Sequence, residues 1–249
     1  SLAERAPTIT TSDINTTDVG DLDSALPEPI GFWQPRESTI LREMERIAQG
    51  AQVYFGFDRN GTLRMARWDA PGTSIASFKE ARAAQQVVLA SGEFDIIDIE
   101  GEPTREEDTP AFEATARFKR NHTVQADLQT NVADARRAVI ENEWRSAKAT
   151  DTSVQNKHKN ARSVEHDTPF QTRTGGQDVA DRVLARDKVQ RRRWRMRAAL
   201  ENGLGSTVDL ADTVTITLDR LDFSGGKKHR VKALETDPVA GRIEYEVWG

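Results

Sequence analysis

The hydrophobic pattern along the chain changes from irregular to helical near residue 36. Apolar residues from Ile40 to Ala48 recur at helical spacing, so a helix is predicted over 36–49. Directly afterwards the period becomes two, because apolar side chains alternate with polar or small ones around a turn at 58–61. With Gly61 at a left-handed position, this alternation predicts a β-hairpin whose apolar residues are Val53, Phe55, Phe57, Leu63 and Met65.

Two strand-like segments flank an acidic loop in the middle of the chain. Residues 94–102 interleave isoleucines with carboxylates, 103–110 form an acidic loop that ends in a proline, and 111–124 form a second strand-like stretch. A helical stripe over 128–140 follows, with Asp127 as its predicted N-cap.

The last part of the sequence predicts one helix followed by four strands. Residues 144–173 are polar, and their pattern predicts no definite element. Thr174 and Gln177 have the spacing of a capping box, which predicts a helix that ends near Lys188. Alternating apolar residues then predict strands over 193–200, 213–218, 231–234 and 243–247, the last two joined by a turn at 237–241.

The N-terminal residues show neither the helical period nor the strand period of two. Residues 1–29 are rich in Thr, Ser, Asp and Pro, which predicts an extended arm or linker. The remainder is expected to divide into a helix plus β-hairpin subdomain at 30–110 and an α+β subdomain at 111–249 that closes with a C-terminal β-layer. The chain begins at Ser1 without methionine, so both a fragment of a longer polypeptide and simple methionine removal remain open.

Composition narrows the classes of protein to which the chain can belong. Of its 249 residues, 40 are acidic and 35 basic, and the formal net charge of −5 disfavours a globally basic nucleic-acid binder. The sequence contains no cysteine, which excludes disulfides, thiolate metal sites and cysteine nucleophiles. Its longest apolar run, Val87–Ala90, is far too short to span a bilayer, so no membrane insertion by this chain is expected.

The sequence offers little that could carry catalysis. His158 and His166 lack the spacing that places two imidazoles on one zinc ion, and the segment 203–207 lacks the pattern of a nucleophile elbow. The carboxylates between Asp95 and Asp108 could supply an acidic pair or calcium ligands, and an exposed acidic strand edge is the alternative interpretation. We therefore predict no catalytic, cofactor-binding or metal-ligating residue and no enzyme activity.

A basic run is the strongest compositional feature. On a strand, alternate residues share a face, so Arg191, Arg193, Arg195 and Arg197 lie together. Three interpretations remain open for this arginine face. It could be a solvated outer strand face, it could contact acidic residues of a neighbouring subunit such as the loop around Glu106, or it could contact the phosphates of a nucleic acid.

The order of several segments resembles phage tail-hub and tail-tip proteins. Each segment alone is of a kind that many β-proteins contain. The resemblance rests on the order in which the segments follow one another. The segments that carry the resemblance are Tyr54–Arg64, Phe118–Gln125, Ala135–Ala138, Glu143–Arg145, Gly176–Arg186, Asp209–Thr217, Gly226–Val231 and Tyr245–Gly249. The sequence departs from the family pattern at His122, where an aromatic residue is expected, and in the leading arm 1–29.

The resemblance implies a fold and a place of action. The expected fold is α+β, with β-barrel-like antiparallel layers and two to three amphipathic helices. The expected function is structural: a homotrimeric ring of a phage or prophage tail hub, between tail tube and tip, with a channel through which DNA could pass. The implied partners are tail-tube, tip or baseplate components, and the implied location is the virion tail after synthesis in the bacterial cytoplasm.

Two other functions stay open at this point. A tail-tip module that binds a host-surface glycan would be indicated by exposed aromatic residues gathered at one site. A cell-wall hydrolase that uses an acidic pair would require two carboxylates converging in a cleft, one with a raised pKa.

Overall fold

The computed structural model describes residues 10–31, 39–58, 60–79, 93–199, 208–219 and 223–249. The α-helices in these ranges are α1 (Thr16–Ala25), α2 (Ile40–Gly50), α3 (Asp134–Ile140), α4 (Thr152–Lys157) and α5 (Arg173–Asp187). The β-strands are β1 (Val53–Phe57), β2 (Leu63–Arg67), β3 (Ala76–Lys79), β4 (Glu93–Gly101), β5 (Ala111–Phe118), β6 (Arg145–Thr150), β7 (Arg162–Asp167), β8 (Arg193–Ala199), β9 (Thr213–Thr217), β10 (Lys227–Asp237) and β11 (Arg242–Trp248).

Two compact units share the chain, and each is assembled from separate stretches of sequence. The helix–sheet unit takes its described residues from Ser1–Gly56, Thr62–Arg67 and Pro110–Val189. The barrel unit takes its described residues from Phe57–Gly61, Trp68–Thr109 and Gln190–Gly249. The segment division at 29/30 and 110/111 stays a prediction.

Six strands form a closed barrel in the order β10–β11–β8–β4–β3–β9, and the sheet closes because β9 pairs with β10. Strand β3 runs parallel to β4 and β9, whereas the other neighbouring strands are antiparallel. Closure leaves the sheet without an open edge. The predicted α+β class with a β-barrel is confirmed, and the short strand β3 with its parallel neighbours is an addition that the sequence pattern did not indicate.

Large apolar side chains fill the barrel. They point inward from alternate strand positions and are fully buried: Phe78, Met196, Ile216, Ile243 and Tyr245. The rings of Phe78 and Tyr245 meet edge to face, with centroids 5.5 Å apart. Each such side chain contributes roughly 1.5–3 kcal/mol through burial.

The helix–sheet unit has a core of smaller residues. Its three-stranded sheet has β5 in the centre, antiparallel to β6 and parallel to β7. Ala114 and Ala116 of β5 and Val164 of β7 share a buried cluster with Val179 and Val183 of α5. The helix therefore covers one face of the sheet with short side chains on both sides.

Two glycines let α5 approach its neighbours closely. A Cβ on Gly176 would lie 2.6 Å from Cδ1 of Phe118, and a Cβ on Gly175 would lie 2.8 Å from Cγ of Phe170. Real side chains do not tolerate such distances without displacement. Glycine in a helix costs about 1 kcal/mol relative to alanine, and here the space that it leaves is occupied by aromatic rings.

The predicted hairpin and the predicted helix before it are confirmed in their described parts. Strands β1 and β2 flank the turn in which Gly61 has φ +80°. Helix α2 begins after Thr39, whose side chain accepts a hydrogen bond from the Arg42 N–H at 3.3 Å. Residues 36–38 of the predicted helix lie outside the described residues.

The predicted caps of the two later helices are wrong. The N-cap of α5 is Thr172 rather than Thr174, since the Thr172 hydroxyl accepts the Gly175 N–H at 3.1 Å. Helix α3 begins only at Asp134. Asp127 cannot be its N-cap, because its φ of +59° is a left-handed conformation that an N-cap does not adopt. The predicted capping box was displaced by two residues, and the predicted helical stripe before residue 134 is irregular apart from a turn at 130–131.

The polar stretch 144–173 contains β6, α4 and β7. These strands flank β5 in the three-stranded sheet, and only one of their faces meets the core. Their outward residues are polar and exposed, for example Lys148 and Glu165, so the apolar signal that marks a buried strand is weak.

Part of the predicted extended arm is helical. The Asn15 side chain caps α1 by accepting the N–H groups of Thr17 and Asp18, both at 3.1 Å. Asp18 accepts a hydrogen bond from Arg64 Nε at 3.0 Å, and the Asn15 N–H donates to the Leu63 carbonyl at 2.9 Å. The capping side chain and these links to β2 explain why residues 16–25 do not extend away from the fold; residues 1–9 lie outside the described residues.

Among the helices of the described residues, none combines the length and apolar character needed to cross a bilayer.

Candidate assembly surface

Strand β8 carries its arginines on the outer face of the barrel. Because side chains alternate along a strand, Met196 and Ala198 point inward and are fully buried, while Arg193, Arg195 and Arg197 point outward. The alternation expected from the sequence is therefore present, and the strand lies between β4 and β11.

The strand register places carboxylates on both sides of the arginines. Arg197 lies opposite Asp98 of β4 and Glu244 of β11. Arg195 lies opposite Glu100 of β4 and Glu246 of β11 in the same way. The outer face thus contains rows in which one arginine stands between two acidic residues.

Ion pairs join these rows. Arg197 Nε donates to Glu244 Oε2 at 2.9 Å, and its Nη1 lies 3.6 Å from Asp98 Oδ2. Arg195 lies 3.1 Å from Glu102 and 3.1 Å from Glu244. The hydrogen bond to Glu244 raises the pKa of Arg197. These side chains are between about a fifth and a half exposed, so each pair adds little to stability.

Arg193 lies beneath the acidic loop. Its side chain is 4% exposed and its Nε lies 3.5 Å from Oδ1 of Asp108, which is equally buried. The backbone N–H of Glu102 donates to the Arg193 carbonyl at 2.9 Å, and Asp108 accepts the Arg105 N–H at 2.7 Å. Burial lowers the pKa of Arg193. The loop 102–109 is thereby attached to β8, a contact that no sequence signal indicated.

The fourth arginine packs on an aromatic ring. The guanidinium of Arg191 lies 4.9 Å from the centroid of Trp248, a cation–π contact. The acidic partners that the sequence hypothesis sought in a neighbouring subunit are thus supplied to Arg193, Arg195 and Arg197 by the same chain. A role of this face in subunit or nucleic-acid contact stays a prediction.

Three carboxylates of the acidic segment pair with arginines of β8. Asp98 and Glu102 each pair with an arginine of β8, and Asp108 pairs with Arg193. In the ranges that the structure describes, no group of three or more His, Asp or Glu side chains could hold a metal ion.

One histidine is buried and another is partly buried, at separate places in the chain. His229 lies inside the barrel, stacked on Phe223 with centroids 5.4 Å apart, and its Nδ1 is 3.0 Å from the Lys227 carbonyl. Burial lowers the pKa of His229 to about 4. Burial also lowers the pKa of His166, on β7 of the helix–sheet unit. His229 is therefore a neutral core histidine, whereas His166 belongs to no buried cluster of the described residues.

The helix–sheet unit contains an open cavity of about 410 Å³. Its lining includes Arg46 of α2, Arg120 and His122 after β5, and Trp144 before β6. Arg120 lies 5.3 Å from the Trp144 ring centroid and pairs with Glu143 at 2.7 Å. Sequence reasoning missed this cavity, because only the β5–β6 register brings residues 120 and 144 together.

Comparison with known proteins finds similarity in structure alone. No protein-family model matches the sequence, and no curated protein sequence matches it. The tail protein from Neisseria meningitidis MC58 has a similar structure, with a TM-score of 0.50, 13% identity, and coverage of 88% of this chain and 57% of that one. This likeness shows a shared fold, and this chain spans little more than half the length of that protein.

Two further solved structures give lower scores. The virion of a native gene transfer agent particle matches with a TM-score of 0.48, 18% identity, and coverage of 84% of this chain and 38% of that one. The 43 kDa tail protein of prophage MuSo2 from Shewanella oneidensis matches with a TM-score of 0.44, 12% identity, and coverage of 87% and 56%.

Proposed function

We propose that this chain is a structural, non-enzymatic component of a phage or prophage tail, located at the tail hub or tail tip. The observation that carries the proposal is the fold shared with the tail protein from Neisseria meningitidis MC58 over 88% of the chain. The order of the sequence segments, which resembles that of tail-hub proteins, supports the same assignment independently of the fold.

In the finer proposal, three copies form a ring between the tail tube and the tip, and DNA passes through the centre. Its partners are tail-tube, tip or baseplate components. A closed barrel suits such a role, because a sheet without open edges presents fixed side-chain surfaces rather than unpaired backbone. The arginine face is proposed as part of the subunit contact through Arg191, Arg195 and Arg197, whereas Arg193 is buried beneath the loop 102–109 of the same chain.

Two features of the molecule weigh against nucleic acid at this face. The outer rows contain more carboxylates than arginines, so the local field repels phosphate. The arginines are also engaged by acidic residues of the same chain. The cavity of the helix–sheet unit has one aromatic residue, Trp144, in its lining, which gives the glycan-binding hypothesis little support.

The assignment is tested on purified phage-like particles from a strain that carries the gene. We expect mass spectrometry to detect this chain in the particles, and antibodies against it to label one end of the tail. Deletion of the gene should give particles with absent or incomplete tails, and expression of the intact gene in trans should restore them. Particles that lack the chain, or labelling along the whole tail, would contradict the hub or tip position.

A further inference from the structure

A long excursion of the chain leaves the three-stranded sheet between β5 and β6. These strands are antiparallel neighbours, with Phe118 opposite Arg145, so a tight turn would suffice to join them. Residues 119–144 lie between them instead and include α3. No residue of this excursion is buried. Long exposed connections of this kind usually carry function, and this one is not part of the core of its own unit.

Hydrogen bonds rather than burial give the excursion a definite shape. At its base, the Asn121 N–H donates to the Glu143 carbonyl at 2.6 Å, and the Asn121 Nδ2 donates to the Ile140 carbonyl at 3.0 Å. The Gln125 N–H donates to the same Ile140 carbonyl at 3.2 Å. Residues 126–139 therefore form a tip beyond these base contacts.

The tip carries a carboxylate that its own chain leaves without a partner. Asp127 is exposed and has φ +59°, a left-handed conformation that aspartate tolerates. In the part of the chain that the structure describes, its side chain makes no hydrogen bond or ion pair. Ala126 and Leu128 flank it, so the tip presents one negative charge between a small and an apolar side chain.

The open cavity of the same unit offers complementary chemistry. Two arginines line it, Arg46 and Arg120, with side chains 54% and 50% exposed. Arg46 pairs with Glu43 at 3.1 Å. Ile47 and Pro169 belong to the apolar part of the lining. The volume of about 410 Å³ is in the range of known ligand sites.

Arg120 is held in place and keeps donors for a further carboxylate. Glu143 binds its Nε and Nη2 at 2.9 and 2.7 Å, and a guanidinium has five N–H donors, so Glu143 does not exhaust them. The ring of Trp144, 5.3 Å away, also orients it. Asp167 lines the cavity too, and Arg117 donates a hydrogen bond to it, which offsets its charge. A guanidinium fixed in this way can bind a second carboxylate with little further loss of side-chain entropy.

We infer that the excursion tip of one copy docks in the cavity of a second copy, with Asp127 beside Arg120. Within one copy the two residues form no ion pair, so the second copy contributes a group that a single chain leaves out. Tip and cavity are different surfaces, so the contact is heterologous, and its repetition builds a ring where the rotation closes. The inference rests on the proposed function only for the expectation that copies meet in a ring.

The first test reverses one charge on each side of the contact. Asp127→Arg changes the tip and Arg120→Glu changes the cavity. Asp23→Arg is the matched control, because Asp23 is an exposed carboxylate on α1 of the same unit. Circular dichroism and thermal unfolding check that each variant is folded.

Sedimentation and light scattering then measure the mass of the full chain at rising concentration. Each single reversal should weaken self-association about tenfold or more, and the control should leave it unchanged. A chain that carries both reversals should associate again, because its tip and its cavity are once more of opposite charge.

A second test does not depend on charge, and the cysteine-free sequence permits it. A chain with Asp127→Cys is mixed with a chain with Gln171→Cys, since Gln171 lines the cavity. A short thiol-reactive linker should join the unlike chains. Asp23→Cys in place of Asp127→Cys should give only background linkage, and Arg120→Glu in the Gln171→Cys chain should lower the yield about tenfold.

Linkage of position 127 to position 171, with association lost in each single reversal and regained in the double, supports the docking. A wild-type chain that is monomeric at every concentration, association that both reversals leave unchanged, or linkage no better than from position 23 overturns it. None of these results decides the tail assignment, which depends on whether the chain is found in purified particles.

Discussion

The barrel unit fills its interior with large side chains, whereas the helix–sheet unit brings its elements together with alanine and glycine. Phe78, Tyr245 and Ile216 occupy the barrel, and Gly176 with Ala116 lie where α5 meets β5. The barrel is stabilised by large side chains that fill its interior. The helix–sheet unit is stabilised by the close approach of its backbones. The first should therefore be sensitive to removal of atoms and the second to their addition.

The largest expected effect is a truncation inside the barrel. Phe78→Ala removes a fully buried ring that contacts Tyr245, and it should lower the free energy of unfolding by about 3–5 kcal/mol. Val183→Ala in α5 should cost less, about 2 kcal/mol, because fewer buried methyl groups are lost. Urea unfolding measures both, and Val239→Ala in the exposed β10–β11 turn should change almost nothing. Equal losses at positions 78 and 183 would contradict the difference between the two cores.

Acid should weaken the barrel through His229. The folded pKa is about 4 and the ordinary value is 6.5, so between these values the unfolded chain binds a proton that the folded chain does not. Stability contributed by the neutral imidazole is present above pH 6.5 and is lost as the pH falls towards 4, by roughly 3 kcal/mol. His229→Phe keeps a ring against Phe223 and removes the titration. The free energy of unfolding, measured at several pH values, should fall less with acid in the variant than in the wild type. An equal fall in both proteins would show that His229 is not responsible for the loss of stability.

Adding one methyl group should weaken the helix–sheet unit. Gly176→Ala places a Cβ 2.6 Å from Phe118, and overpacking of this kind costs about 1–3 kcal/mol despite the better helix propensity of alanine. Gly20→Ala in α1 is the matched control, since nothing lies within 4 Å of its Cβ position, and it should be neutral or stabilising by up to about 1 kcal/mol. Thermal unfolding compares the two, and Phe118→Leu should restore part of the loss in the Gly176→Ala background. If the Gly176→Ala variant were as stable as the wild type, the ring of Phe118 would have to move aside at no cost.

The sequence by itself determined most strands of the barrel, because they are buried on one face and have a strong period of two. Strands β4, β8, β9 and β11 lie near their predicted positions, and the alternation of arginine with apolar residues on β8 was visible in advance. The helix α5 was also predicted, although its cap was displaced by two residues. Local patterns sufficed where large apolar residues occupy the buried face, and they failed for β6 and β7, whose buried residues are only Ala147, Ala149 and Val164.

The tertiary structure alone decided which charges meet. Asp98 and Glu244 lie on opposite sides of Arg197 only because β4 and β11 are the barrel neighbours of β8, and this register is a property of the closed sheet. Likewise, Asp108 reaches Arg193 across 85 residues of sequence, and Arg120 reaches Trp144 through strand pairing. A periodic sequence pattern predicts whether a residue is buried or exposed. A contact between residues that are distant in sequence depends on the path of the whole chain. The sequence therefore indicated the arginine face, and only the fold showed that the same chain supplies its acidic partners.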